Sequence, residues 1–262
     1  MNETMFYDLR QTPALTYSLA TQIARELGRR IVARSYGPGD LIEDESALVD
    51  RYHVSRSVIR DAVKILVGKG LLEVRRGIGT RVRDRANWGL LDDDVLAWHQ
   101  SAPPSPDFLR QLMDLRLVIE PKAARWAAER GTQKGHNSIR LAMEAMKRDA
   151  ASIREFVFAD ALFHSSVLRA ANNELLCSFE GVILSALLES IRLTNRDPRE
   201  NDESLPFHRA VAEAIFSRDA EAAESRMEGL LGDAQRRLRG YLGGFEDARK
   251  SAEVTASNLS SH

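Results

Sequence analysis

The chain has 262 residues, with 37 Lys and Arg against 38 Asp and Glu and 44% apolar residues, a composition that excludes a disordered protein. Its single cysteine, Cys177, excludes an internal disulfide framework and a thiolate zinc cluster. The longest apolar stretch, residues 181–188, is far shorter than the roughly 20 residues of a membrane span, and the N-terminal residues do not resemble a signal peptide, so we expect a soluble cytoplasmic protein.

The first third of the chain predicts three helices followed by a β-hairpin. Apolar residues recur at every fourth position from Leu15 to Ile31, which indicates an amphipathic helix. Ser55 is a favourable N-cap for the third helix, and Gly77 and Gly79 favour a turn between two strands. The predicted elements are helices over residues 15–35, 43–52 and 55–69 and strands over residues 71–75 and 80–83.

Beyond the hairpin the sequence predicts only helices, after a linker with one helical turn near Val95 to His99. Pro121 is expected to bend the first long helix. The helices are predicted over residues 107–130, 135–150, 153–171, 174–195, 204–217 and 219–242. The fold is therefore expected to be mainly α, with a winged helix-turn-helix domain at 1–85, a linker at 86–106, an all-α helical bundle at 107–245 and a disordered polar tail at 246–262.

The third helix has one cationic face and one apolar face. At about 100° per residue, Arg56, Arg60 and Lys64 lie on one side and the aliphatic residues on the other. Residues 51–85 hold 10 Lys and Arg against 3 Asp and Glu, which suits a polyanionic partner. Because arginine can bridge both acceptors of a guanine edge, these elements predict binding to double-stranded DNA. The predicted contacts are Ser55, Arg56, Ser57, Arg60 and Lys64 of the helix and Arg75, Arg76 and Gly77 of the hairpin.

The run PGDLIEDESALVDRYHVSRSVIRDAVKILVGKGLLEVRRGIGTRV resembles the winged-helix domain of the GntR-type bacterial transcription regulators. The resemblance implies that Arg56 and Arg60 contact the operator and that Arg76-Gly77 enters the minor groove. The sequence departs from the family at Glu43-Asp44-Glu45, where a basic residue is common, so one DNA contact of the family is expected to be missing. The matching pieces are Pro38-Gly39, Leu48, Val54-Ser55-Arg56, Arg60, Gly70-Leu71 and Arg76-Gly77-Ile78-Gly79.

The second part of the chain carries a pattern of potential metal ligands. Asp160 and His164 are four residues apart, so on a helix they share one face and can converge on one ion. With the later His208, this pattern resembles the FCD branch of the same regulators, typified by the fatty-acid regulator. The family pattern has a further histidine on the last helix, and this chain has Leu230 at that position. The sequence leaves two alternatives open: a Zn-like divalent ion held by three residues, or a metal-free pocket whose histidines bond an effector.

The effector is expected to be a small carboxylate, because a guanidinium group offers a fork of donors that suits one. Arg116 matches a family segment whose arginine can face the effector, and a salt bridge to Glu120 is the alternative reading. The segments NWGLLDDDVLAWH and LRLVIEPKAARWAAERGT resemble the branch that contains the galactonate-operon repressor, which implies a sugar acid. The predicted effector contacts are Arg116, Asp160, His164, Asn173, Arg192 and His208.

Together these observations predict a sequence-specific transcriptional repressor that is released by a small carboxylate, binds operator DNA as a homodimer and has no membrane partner. Two alternatives stay open: a metal-dependent enzyme that uses the cluster Asp160/His164/His208, and a structural helical module without a ligand. Against the enzyme, the sequence offers no obvious nucleophile–base pair and no Gly-rich phosphate loop. The remaining histidines on predicted helices are expected to have structural roles.

Overall fold

A computed structural model describes residues 3–9, 18–102, 105–194 and 199–259 of the chain. The chain divides into two compact units, Met1–Pro104 and Ser105–His262. The elements of the first unit are α1 (Glu3–Leu9), α2 (Leu19–Val32), α3 (Glu45–Tyr52), α4 (Arg56–Gly68), β1 (Leu72–Arg75), β2 (Gly79–Val82), a 3₁₀ turn (Arg85–Asn87) and α5 (Asp93–Ser101).

Side-chain caps fix where the helices of the first unit begin. The Ser18 hydroxyl accepts a hydrogen bond from the Thr21 N–H, so α2 starts later than the apolar repeat suggests. Asp44 caps α3 in the same way, and Ser55 caps α4 as predicted. His53 adopts a left-handed conformation, with φ of 53°, and makes the tight turn between α3 and α4. The predicted helix-turn-helix is thereby confirmed.

The apolar faces of α2, α3 and α4 share one core with the base of the hairpin. Leu27 of α2 and Ile59 and Leu66 of α4 are fully buried in it. The two strands are antiparallel, and the pair Leu72 and Val82 joins them to that core. Gly70 leads into the hairpin with φ of 78°, and a Cβ there would lie 2.1 Å from the carbonyl oxygen of Asn87, so only glycine fits this position.

The structure differs from the predicted linker over residues 86–106. In place of one helical turn it has α5, whose Val95 and Trp98 are buried in the same core as α2 and α4. The N-terminal α1 contacts α5 as well, and the Tyr7 hydroxyl donates a 2.6 Å hydrogen bond to Asp94 Oδ1. An acidic run and several prolines flank the short apolar pattern of α5, so the sequence indicated a linker there. Packing against α2 makes α5 part of the first unit.

All the regular secondary structure described in the second unit is helical. Pro121 lies inside its first helix, and the helix predicted over 174–195 is interrupted after Cys177. The last helix continues to Leu259 where a disordered tail was expected, since its residues around 246–250 favour helix. The break predicted at Asp197-Pro198 lies outside the described residues. The helices are α6 (Pro106–Arg130), α7 (Gln133–Arg148), α8 (Ile153–Ala170), α9 (Glu174–Cys177), α10 (Glu180–Thr194), α11 (Arg199–Phe216) and α12 (Ala220–Leu259).

Helix α8 packs against α6, α7 and α10 in this unit, while α6 also contacts α10, α11 and α12. Phe163, Val157 and Leu168 of α8 are fully buried. This packing brings polar side chains of α6, α8 and α11 together inside the bundle. Among the described helices, none is both long enough and apolar enough to cross a membrane.

Candidate functional site

Helix α4 presents its cationic face to solvent, as its sequence pattern predicts. The side chains of Arg56 and Arg60 are each 63% exposed, and that of Lys64 is 77% exposed. Ser55 and Ser57 are exposed at the start of the helix, and their hydroxyls are hydrogen-bonded to each other at 2.8 Å. The first turn of α4 therefore offers hydroxyl and guanidinium groups together, which suits base edges and phosphates.

Glu45 of α3 pairs with both arginines of this face, a contact that the sequence did not predict. Its Oε2 accepts a 2.8 Å bond from Arg60 Nε, and its Oε1 lies 3.3 Å from Arg56 Nη1. The hydrogen bond from Arg60 lowers the pKa of Glu45, so the carboxylate is charged. Two residues of the acidic run Glu43-Asp44-Glu45 thus have different contacts: Asp44 caps α3, and Glu45 neutralises part of the cationic face of α4.

The hairpin ends in an exposed turn that carries the remaining predicted DNA contacts. Gly77 and Gly79 have φ of 76° and 123°, conformations that favour glycine. Arg75 and Arg76 are exposed beside this turn, and Arg75 Nε lies 2.8 Å from Glu73 Oε1. The exposed arginines and the narrow glycine turn together have the form of a wing.

In the second unit, the structure brings Asp160, His164 and His208 together and buries all three. Asp160 and His164 lie on one face of α8, and His208 comes from α11. One ligand atom from each lies within 4.8 Å of the others. Asp160 Oδ1 is 2.7 Å from His208 Nε2 and 3.5 Å from His164 Nε2. Local spacing predicted the pair Asp160 and His164, the family resemblance implied His208 as the third member, and the fold brings the three together.

The donor atoms of this cluster fit a cation. Asp160 Oδ1 and His208 Nε2 lie 2.7 Å apart, and among the described residues neither atom has a hydrogen-bond partner. His208 Nδ1 is 2.9 Å from the Ser204 carbonyl oxygen and donates to it, so a neutral His208 ring presents its lone pair on Nε2, which faces Asp160. Two imidazole nitrogens and one carboxylate oxygen form a donor set typical of Zn²⁺ and similar ions.

Glu120 and Arg116 of α6 extend the cluster, and Glu120 was not among the predicted site residues. Glu120 Oε2 accepts a hydrogen bond from His164 Nδ1, and Glu120 Oε1 accepts a 2.5 Å bond from Arg116 Nε. All three side chains are buried. The alternative prediction, a surface salt bridge from Arg116 to Glu120, named the correct partner. The pair is buried and does not lie at the surface. The spacing of four residues in DLRLVIEP was the available signal.

The ionisation of these groups is set by their mutual contacts. Burial by itself would raise the pKa of Glu120, but the charges of Arg116 and His164 hold it at about 2. Burial would also raise the pKa of Asp160, yet His208 and His164 hold it well below its usual range. For His164 burial acts in the opposite direction, and the Glu120 and Asp160 carboxylates raise its pKa to about 9. The Asp160 and Glu120 carboxylates are therefore ionised inside the protein, where positively charged groups lie beside them.

The other predicted effector contacts are not brought to this cluster by any described contact. Asn173 is the N-cap of α9, where its Oδ1 accepts a 3.0 Å bond from the Leu176 N–H. The side chain of Arg192 lies outside the described part of the structure. Leu230, at the position of the family's further histidine, is buried and offers no donor. Arg116 also borders a narrow apolar cavity, which is otherwise lined by Leu109, Leu112, Met113, Ala186 and Leu238.

Two histidines outside the cluster have the structural roles expected of them. His99 donates from Nδ1 to the Val95 carbonyl oxygen at 2.8 Å, and His136 Nε2 lies 3.3 Å from the Ala127 carbonyl oxygen. His262 lies outside the described residues. These bonds tie each ring to the backbone of its own unit.

Comparison with known proteins agrees with this architecture. Residues 19–82 match the bacterial regulatory proteins of the gntR family, and residues 111–233 match the FCD domain. The chain is 30% identical over 227 residues to the galactonate operon transcriptional repressor of Escherichia coli K12, covering 86% of this chain and 99% of the relative. It is 24% identical to the E. coli K12 transcriptional repressor NanR, over 86% of each chain.

The fold is also similar to a solved structure of Lar from Listeria monocytogenes, a protein described as controlling the expression of the agr system. That similarity has a TM-score of 0.60 at 16% identity and covers 86% of this chain and 98% of the other. At this identity it concerns the fold alone.

Proposed function

Because the chain belongs to the GntR family of bacterial regulatory proteins and carries an FCD domain after its winged helix, we propose that it is a cytoplasmic repressor that leaves its operator when a small sugar acid binds. One observation carries this proposal: an exposed helix bearing arginines lies in the first unit, and a buried cluster of polar donors lies in the second. The relatives are transcription regulators, which argues against a metal-dependent enzyme.

We expect α4 to enter the major groove and the hairpin to enter the minor groove. The exposed N-terminal half of α4 carries Arg56 and Arg60, whose guanidinium groups can each bridge the O6 and N7 acceptors of a guanine. The hairpin presents Arg76 beside a glycine turn that has little bulk, which suits a narrow groove. Recognition would thus be divided between base edges at α4 and groove shape at the hairpin.

We infer that the protein acts as a homodimer on an inverted repeat. One copy presents one short recognition helix, which covers few base pairs, whereas two copies related by a twofold axis would read two half-sites. The half-sites are expected to be about one helical turn apart or less, roughly 34 Å. Light scattering with and without operator DNA tests this. A monomer that binds a single half-site with full affinity contradicts it.

The effector site is proposed at the buried cluster of the second unit. Asp160, His164 and His208 would hold a divalent ion such as Zn²⁺, which when bound attracts carboxylate and hydroxyl oxygens. Because Leu230 stands where the family has a further histidine, one coordination position of the ion would have no protein ligand, and an effector oxygen could occupy it. The chain is 30% identical to the galactonate operon repressor, and the name of that relative supports a sugar acid as the ligand class. Release then requires the ligand to prefer one arrangement of the protein over another.

Fluorescence anisotropy with labelled DNA from upstream of the coding region tests both halves of this proposal. We expect tight binding that weakens when D-galactonate or another sugar acid is added. Asp160→Asn should retain DNA affinity and lose the response to the sugar acid, whereas the matched variant Glu155→Gln, on the exposed side of α8, should keep both. A panel of sugar acids without effect on wild-type binding refutes the ligand class, and a failure to bind the DNA refutes the operator assignment.

A further inference from the structure

Glu120 sits between the metal-ligand cluster and Arg116, and its carboxylate faces a different partner with each oxygen. We propose that Glu120 is a positioning residue of the metal centre, holding His164 so that Nε2 faces Asp160 and His208 while Arg116 holds the Glu120 carboxylate in place. This inference rests on the proposed metal centre, and it assigns a role to a residue of α6 that is not one of the ligands.

The His164 ring explains why such a residue is needed. A neutral imidazole carries one proton, which can be on either nitrogen, and only the nitrogen without it can bind an ion. His164 Nδ1 donates to Glu120 Oε2, so the lone pair of a neutral ring is left on Nε2. That nitrogen is the one that lies 3.5 Å from Asp160 Oδ1. Carboxylates that orient metal-binding histidines in this way raise the affinity for the ion.

Arg116 completes the arrangement from the other side of Glu120. Its Nε donates to Glu120 Oε1 at 2.5 Å, and neither side chain is more than 3% exposed. An isolated carboxylate is costly to bury, so the guanidinium serves as its counter-charge and also prevents rotation of the carboxylate. Because Arg116 and Glu120 are four residues apart on α6, one helix supplies both groups in a fixed relation.

His208 provides an internal comparison within the same cluster. Its Nδ1 donates to the Ser204 carbonyl oxygen at 2.9 Å, a neutral acceptor from its own helix α11. The two histidines are thus oriented by different means, one by a charged side chain of another helix and one by the local backbone. A change at Glu120 should therefore disturb His164 and leave His208 in place.

Zinc affinity, measured on the full-length protein by competition with a chromophoric chelator, tests the proposal. In Glu120→Gln the side chain has one acceptor oxygen for two donors, so either Arg116 or His164 loses its partner. We expect the affinity for Zn²⁺ to fall 10- to 100-fold. The matched control is Glu180→Gln, which alters another buried glutamate of the same unit, bonded to Ser165 and Arg169, and should leave Zn²⁺ affinity unchanged.

Two further measurements separate positioning from a general loss of structure. The double variant Arg116→Met with Glu120→Met removes both buried charges and also the acceptor for His164 Nδ1, so it should fold and still bind Zn²⁺ 10- to 100-fold more weakly. In long-range ¹H–¹⁵N spectra of the Zn²⁺-loaded protein, we expect His164 to carry its proton on Nδ1. That resonance should shift in Glu120→Gln while the corresponding resonance of His208 does not.

The outcomes distinguish this inference from the proposal on which it rests. If wild-type protein binds Zn²⁺ and Glu120→Gln binds it within twofold as tightly, the positioning role is overturned and the metal centre stands. An equal loss in Glu180→Gln also overturns it, since any buried glutamate would then have the same effect. If the wild-type protein binds no Zn²⁺, the proposed metal centre and this inference are both overturned.

Discussion

Gly28 of α2 lies directly against the ring of Trp98 on α5, and a Cβ at position 28 would fall 2.3 Å from Trp98 Cζ3. The contact joins α5 to the core of the winged helix, because Trp98 is only 2% exposed. Helix α5, which the sequence analysis assigned to a linker, can pack this closely on α2 because position 28 has no side chain.

Gly28→Ala is expected to destabilise the first unit although alanine favours helix. The added methyl group must displace a buried indole ring, and overpacking of this kind costs about 1–3 kcal/mol, more than the gain of up to about 1 kcal/mol in helix propensity. Urea unfolding measures the difference. Gly68→Ala on α4 is the control, because a Cβ there meets no atom within 4 Å, and it should not destabilise the protein. Equal effects of the two changes contradict this account.

His99 is expected to make the stability of the first unit depend on pH. Burial lowers its pKa to about 4, against an unfolded value near 6.5, with the Val95 bond opposing and the Arg85 charge assisting. Between these pH values the unfolded chain binds the extra proton, so the contribution of His99 is complete above pH 6.5 and is lost as the pH falls toward 4. From pH 7 to pH 5 the loss should be about 2 kcal/mol.

Urea titrations at the two pH values, on wild type and His99→Gln, isolate this effect. The variant has no group that titrates at position 99, so its stability should fall by about 2 kcal/mol less than that of the wild type between pH 7 and pH 5. Carboxylate protonation affects both proteins alike and cancels in the comparison. The same pH dependence in both would show that His99 is not the group responsible.

Arg56 and Arg76 are expected to contribute to DNA binding in different ways. Arg56→Ala should cost about 1–3 kcal/mol on the operator and relax the preference at one base pair, because it removes a donor fork from a base edge. Arg76→Ala should weaken binding to operator and unrelated DNA to similar extents. Anisotropy titrations against a set of single-base operator variants measure both effects. An equal loss of sequence preference in the two variants contradicts this division.

Glu45 is expected to restrain binding to DNA of the wrong sequence. It pairs with Arg56 and Arg60 in the structure, so both arginines must leave a carboxylate before they engage DNA. Glu45→Gln should tighten binding to unrelated DNA about 3- to 10-fold and narrow the gap between operator and unrelated DNA, since a negative charge near the phosphates is removed. Asp50→Asn, an exposed acid on the same helix α3, controls for charge alone. If both variants behave alike, the pairing has no specific role.

The sequence by itself determined the features that repeat with the helical period. The cationic and apolar faces of α4, its cap at Ser55, and the shared face of Asp160 and His164 all follow from local spacing, because neighbours three and four residues apart are adjacent on any helix. The glycine turn of the hairpin is of the same kind, since it depends on backbone conformation at Gly77 and Gly79.

Only the tertiary structure decided which distant side chains meet. Glu120 and His164 are 44 residues apart in sequence and lie on different helices, and their hydrogen bond depends on how α6 packs against α8. The contact of Glu45 with Arg60, and the burial of Trp98 against Gly28, depend in the same way on packing between helices. No local periodicity encodes such pairs, because side-chain volumes and burial over a whole unit fix the position of one helix against another.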